Sequence, residues 1–134
     1  MLDHVSIVVG DFQPADRFYS AILAALDVPC VWREQSAAGY GLRNSAGDDS
    51  HTYLTIRSAN GQTGLVDAPG RHWCLRAPSR AAVDEFHAIG LANGGISDGA
   101  PGVRPAYHKH YYAAFLRDPD GNRIEAVCHR APAV

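Results

Sequence analysis

The chain's 134 residues are the length of one domain, and such a length buries roughly two-thirds of its unfolded surface without needing disulfides or a structural metal. Its 46% hydrophobic and 19% charged residues are those of a globular domain. A net charge of −2 with no Lys or Arg run excludes the basic stripe that nucleic-acid binding needs, and no apolar run is long enough to span a bilayer.

Taken in chain order, residues 3–9 (Asp3-His4-Val5-Ser6-Ile7-Val8-Val9) are rich in β-branched side chains and predict a strand ended by Gly10-Asp11. From Pro14 to about Leu26, Phe18, Ile22, Ala25 and Leu26 recur at helical spacing, with Pro14 suited to a first turn and Pro29 a stop. Val31-Trp32-Arg33 and residues 40–43 predict short strands. Residues 44–50 read as a polar loop, residues 51–56 as a further strand, and Asn60-Gly61-Gln62-Thr63-Gly64 as a break.

The second half repeats this order. His72-Trp73-Cys74-Leu75 predicts a strand, and Ser79 caps a helix running to about Asn93 with Ala82, Phe86 and Ile89 on its buried side. Asn93-Gly94-Gly95 supplies a left-handed stop. Residues 111–116 predict a strand, Asp118-Pro119-Asp120-Gly121 a tight turn, and residues 123–128 the last strand. Setting His4 over His72 without a gap places Ile7 over Leu75, Asp16 over Asp84, Phe18 over Phe86 and Leu23 over Leu91. The matches fall at the same places in the same strand-then-helix pattern, which predicts an internal duplication. The expected fold is therefore α+β: one domain over residues 1–134, built as two tandem βαβββ modules (about 1–66 and about 67–134). These form a curved mixed sheet with helices on its outer face.

Three cysteines, Cys30, Cys74 and Cys128, form no CxxC pair and read as buried, reduced thiols. With no secretory signal visible at the start of the chain, a cytoplasmic location is expected. Among seven histidines, His4 and His72 stand apart because the duplication places them at equivalent strand starts, able to present two imidazole nitrogens to one ion. Glu125 lies in an otherwise small, apolar strand, where a buried carboxylate requires a cation, strong hydrogen bonds or solvent. Arg123 and Arg117 are alternative partners for it. Two His and one carboxylate on a shared face suit a divalent Fe, Mn, Zn, Ni or Co ion with open positions for substrate oxygens.

The opening Leu2-Asp3-His4-Val5 with Phe18-Tyr19, and the stretch from Tyr111-Tyr112-Ala113-Ala114-Phe115 through Asp118-Pro119-Asp120-Gly121-Asn122 to Glu125, resemble the vicinal oxygen chelate superfamily. That group includes glyoxalase I, fosfomycin- and bleomycin-resistance proteins and extradiol dioxygenases. The resemblance covers essentially the whole chain and implies His4, His72 and Glu125 as metal ligands. It also implies a small-molecule substrate and a homodimer, in which paired modules come from one chain or two. Glyoxalase I has a fourth ligand, a Glu on the last strand of the first module. Here that strand carries no carboxylate, with His51 its nearest substitute, so a standard lactoylglutathione lyase is not expected. The reading is a metal-dependent dioxygenase, lyase or transferase; the alternative is a metal-free binding or resistance protein of the bleomycin-resistance type.

The segment Tyr107-His108-Lys109-His110-Tyr111-Tyr112 is dense in groups able to act beside a metal. His108, His110, Tyr111 and Tyr112 are the candidate catalytic residues, with His108, His110 and Tyr112 sharing a face if the segment is extended. Trp32, Tyr53 and Trp73 are candidates to line an apolar pocket, and His87, equivalent to Tyr19 in the repeat, reads as structural.

Overall fold

The computed structural model describes residues 2–43, 46–47, 52–59 and 70–132. His51, the break at residues 60–64, most of the loop at 44–50 and the boundary between modules lie outside the described residues. The chain runs β1 (His4–Val9), α1 (Phe12–Ala24), β2 (Cys30–Arg33), β3 (Ala37–Leu42) and β4 (Thr52–Ser58). It then repeats as β5 (Trp73–Arg76), α2 (Arg80–Ala92), β6 (Ile96–Val103), β7 (Tyr112–Arg117) and β8 (Arg123–Cys128). Two four-stranded mixed sheets result, ordered β1-β4-β3-β2 and β5-β8-β7-β6. In each, the outer pair β1/β4 or β5/β8 is parallel and the rest antiparallel.

The duplication is visible in the element bounds. The offset that carries His4 onto His72 carries Phe12–Ala24 onto Arg80–Ala92 end to end, and the N-cap Asp11 onto the N-cap Ser79. Both caps work alike: Asp11 Oδ1 accepts from Gln13 N and Ser79 Oγ accepts from Ala82 N, each at 3.0 Å. Helix α1 starts two residues before Pro14, which sits inside its first turn, where a missing N–H costs nothing.

Strand β6 is required by a second βαβββ module, but residues 96–103 do not read as a strand. Its Ile96-Ser97-Asp98-Gly99-Ala100-Pro101-Gly102-Val103 has the composition of a loop, and its pairing with β7 shifts register at Gly99 and Gly102. A Cβ at Gly99 would press on the Phe115 ring, so the glycine leaves that ring room to lie over the strand.

Alternation along the strands divides each sheet into two faces. Ile7, Val9, Leu54 and Ile56 are buried on the helix side of the first sheet, and Ile124, Ala126 and Cys128 on that of the second. Helices α1 and α2 touch each other, and residues of both modules form one core cluster that includes Phe18, Ile22, Val83, Phe86 and Leu116. At Gly90 a Cβ would collide with Leu116, so the absent side chain lets α2 sit close against β7. A polar latch joins the modules at the β7–β8 turn. Tyr19 donates to Asp118 Oδ2 at 2.7 Å, Gly10 N to Asp120 Oδ1 at 3.0 Å, and Asn122 Nδ2 to Val8 O at 3.3 Å. The opposite faces, carrying His4, Ser6 and Val8 in one sheet and Cys74 and Glu125 in the other, are left for the site.

Candidate functional site

The register of the second sheet builds the site. Cys74 pairs with Glu125 across β5–β8, so both project from one face, with His72 one residue before β5. The Glu125 side chain is only 3% exposed, which makes its partners decisive. Tyr111 donates to Oε1 at 2.7 Å, and His72 Nε2 stands 3.0 Å from Oε2. Arg117 and Arg123, the alternative partners, both reach Asp98 on β6, at 3.1 and 3.6 Å.

The tautomers follow from the neighbours. His72 Nδ1 lies 3.3 Å from the Gly70 carbonyl, which can only accept, so Nδ1 carries a proton. A neutral His72 would then turn its Nε2 lone pair toward a carboxylate oxygen. Attraction at 3.0 Å therefore needs a proton shared by the pair, on the imidazole or on the carboxyl, or a cation that both groups hold. His4 is prepared in the same way: its Nδ1 is 2.5 Å from Asp3 Oδ1, leaving Nε2 as the lone-pair nitrogen of the neutral ring. A histidine whose second nitrogen is tied to an oxygen is the usual preparation of a metal ligand. The donor set thus fits a divalent ion in its chemistry.

It is assembled only in part within one chain. His4 stacks on Tyr53 with ring centroids 5.5 Å apart, in the other sheet. Among the described residues, no three His, Cys, Asp or Glu side chains come together as a ligand set. His4 and Cys74 nevertheless line a common cleft. Register also locates the position matching Glu125 in the first module. Cys74 pairs with Glu125 as its repeat equivalent Ser6 pairs with Thr55, a buried threonine in place of a carboxylate.

The four candidate catalytic residues separate. Residues 105–107 and 109–110 form turns, so extended-strand parity does not apply to the segment. Tyr111 reaches Glu125, whereas Tyr112 opens β7 on the opposite side, donating to Asp84 on α2 at 2.7 Å beneath the Arg80 guanidinium. Tyr112 is thus held by a helix and stands away from Glu125. His110 donates its backbone N–H to His108 Nδ1 at 3.2 Å. With Nδ1 accepting, the neutral His108 ring carries its proton on Nε2 and donates it to His129 Nδ1 at 2.9 Å. Both imidazoles meet the Tyr111 ring edge to face, at 5.5 and 5.2 Å.

His129, just beyond β8, and Cys74 join this cluster without having been singled out as site residues. For Cys74 the signal lay in the β5–β8 register and for His129 in the β7–β8 pairing of Tyr112 with Cys128, neither of which a single strand's pattern contains. Of the three cysteines only Cys128 is buried; Cys30 and Cys74 are exposed, against the expectation of buried thiols. Desolvation, and then the negative field of Glu125, push the Cys74 thiol up to about 12, although the residue as a whole is exposed. Burial and the hydrogen bond to Glu125 hold the Tyr111 hydroxyl well above its usual range. Tyr53 and Trp73 line the cleft together, while Trp32 lies over Gly39, where a Cβ would collide with its indole. His87 bonds Ser97 at 2.8 Å, a structural contact between α2 and β6.

Comparison with known proteins agrees with this architecture. The family model described as Glyoxalase/Bleomycin resistance protein/Dioxygenase superfamily matches residues 1–126. A glyoxalase/bleomycin resistance protein from Albidiferax ferrireducens is similar at 33% identity and TM-score 0.75, over 94% of this chain and 96% of that one. A glyoxalase I mutant from Zea mays is similar at 20% identity and TM-score 0.71, over 94% of this chain and 45% of that one. A lactoylglutathione lyase from Agrobacterium tumefaciens is similar at 17% and 0.60, over 95% and 92%. The last two show the fold alone. No curated protein matches the chain. Together with two βαβββ modules in tandem, the match over nearly the whole length places the chain in the glyoxalase/bleomycin resistance protein/dioxygenase superfamily.

Proposed function

We propose that the protein is a metal-dependent enzyme acting on a small organic substrate that chelates through adjacent oxygens, with His72, Glu125 and His4 as the metal ligands. The observation that carries this reading is the His72–Glu125 pair: a buried carboxylate facing, at 3.0 Å, an imidazole nitrogen whose ring proton is already used elsewhere. A divalent Fe, Mn, Zn, Ni or Co ion, when bound, supplies Lewis acidity that polarises a substrate carbonyl or lowers a hydroxyl pKa. His4 joins the other two either across the cleft it shares with Cys74 or from a second copy of the chain in a homodimer.

The chain's own groups divide the remaining work. Tyr111 keeps its proton and fixes Oε1, so that Oε2 is the oxygen presented toward His72. It positions the site rather than acting as a base. The proton acceptor is the His108–His129 pair: its two lone pairs are held by the His110 amide and by the His108 Nε2–H, so a substrate proton is taken up as one of these hydrogen bonds opens, leaving one imidazolium. Thr55 at the position equivalent to Glu125 favours dioxygenase, lyase or transferase chemistry over that of a standard lactoylglutathione lyase.

A second reading is a metal-free small-molecule binding or resistance protein of the bleomycin-resistance type. Its supporting observation is that His4 stands apart from His72 and Glu125 within one chain. Elemental analysis separates the two. The enzyme reading expects about one ion per site after reconstitution, strongly reduced in Glu125→Gln. If the wild type holds no metal under any loading condition and Glu125→Gln behaves the same, the metal-free reading takes its place. Anaerobic Fe(II) loading followed by catechol turnover then tests the dioxygenase branch.

A further inference from the structure

We propose that the cleft between the first module and β5 is a binding subsite for an uncharged, apolar portion of the substrate, one or two rings in size. This rests on the metal-enzyme reading only in placing the oxygens of the same molecule at His72 and Glu125. The cleft has a volume of about 260 Å³. Val5, Leu23, Val28 and Leu54 come from the first module, and Trp73 and Leu75 from the second. Among the described residues no Lys, Arg, Asp or Glu lines it, so a charged group entering it would be desolvated without a counterion from them. An apolar group would exchange water for side-chain contacts on both sides. For scale, a dry apolar cavity of roughly 150 Å³ accommodates benzene, so this cleft has room for a substituted or fused ring.

Two further features connect the cleft to the chemistry. His4 and Cys74 are both part of its wall, and Cys74 is the β5 partner of Glu125. A molecule seated between the modules therefore extends toward the candidate ligands without crossing a charged barrier. A larger cavity, of about 470 Å³, differs in character: Glu34, Ser36, Arg57 and Ser58 line it at the far end of β1 and β4. Since β1 and β5 are edges of separate sheets, backbone hydrogen bonds do not close the gap between them.

The chain's two tryptophans permit a direct test, because Trp73 lines the cleft and Trp32 does not. Protein labelled with 5-fluorotryptophan is observed by ¹⁹F NMR, with Trp32→Phe assigning the resonances. Naphthalene, which has no chelating oxygens, is expected to shift the Trp73 resonance saturably in metal-free protein and leave that of Trp32 unmoved. Val28→Phe is expected to weaken this binding at least tenfold. Thr52→Phe, at an exposed wall position, gives the same information if Val28→Phe unfolds, and an unchanged Trp32 resonance reports an intact fold. In metal-loaded protein, naphthalene-2,3-diol is expected to bind at least tenfold more tightly than catechol.

Absence of a saturable Trp73 shift, or a shift indifferent to both wall substitutions, overturns the subsite. So does a Trp73 resonance that moves with protein concentration alone, which assigns the cleft to a second copy of the chain. Loss of metal binding with the naphthalene response intact would remove the enzyme reading and leave the subsite standing.

Discussion

Glu125 takes a hydrogen bond from Tyr111 on one oxygen and faces His72 on the other, with the Cys74 thiol beside it. Cys74 illustrates how surroundings set reactivity, through desolvation first and the field of Glu125 second. With its pKa raised to about 12, it stays a thiol at neutral pH, whereas the thiolate is the reactive form. Iodoacetamide at pH 8 is therefore expected to modify exposed Cys30 at least about tenfold faster than Cys74, as read by peptide mass spectrometry. Glu125→Gln, by removing the negative field, is expected to accelerate Cys74. Equal rates for the two cysteines in the wild type would contradict the assigned environment. At this scale the sequence shows why Glu125 matters, since a carboxylate in an apolar strand demands an explanation. It does not show which of the adjacent tyrosines reaches Glu125. That depends on where the turns over residues 105–110 end and β7 begins.

Among elements, the helices and the strands β1, β4, β5 and β8 were the most legible parts, though not the parallel pairing of those strands. Apolar periodicity and the ungapped match of the halves lead to Phe12–Ala24, two residues earlier than the expected Pro14 to Leu26, and to Arg80–Ala92. β6 was not, because its glycines and proline serve close packing and register shifts while mimicking a loop. The β7–β8 turn was recognised as a turn, but its reach into the first module was not. Asp118 accepts hydrogen bonds from the backbone of Asp120 and Asn122, from the Asn122 side chain and from Tyr19. Burial still pushes its carboxyl above the usual Asp range, outweighing those hydrogen bonds.

A raised folded-state pKa means that the folded chain binds this proton more tightly than the unfolded chain. Its contribution is fully present below the ordinary Asp value of about 4 and is lost as pH rises through the folded value. Asp118→Asn does not titrate, and it points an amide at two donors. It is expected to cost about 1–3 kcal/mol near neutral pH in urea unfolding. The gap to wild type should widen as pH falls from 7 toward about 4. A gap that is constant or narrows on acidification would contradict the burial argument.

The whole molecule is two similar units sharing one core, each with an open sheet face bearing one histidine at an equivalent place. Duplication explains why the ligand candidates were visible from spacing: a residue repeated at a strand start stands out against the chain. It also explains what spacing left open, since equivalence within modules does not determine how two sheets face one another. Titration of metal-stripped protein with Co(II), followed by its visible absorption, tests the central claim most directly. The account predicts saturation at about one Co(II) per site, with affinity falling at least about 100-fold in His72→Ala and in Glu125→Gln, since even outer-shell partners of a metal are worth ~10–100-fold. His4→Ala is expected to weaken binding as well, with His4 as the third ligand. Co(II) binding that is absent, or that survives unchanged in His72→Ala and Glu125→Gln, would contradict it.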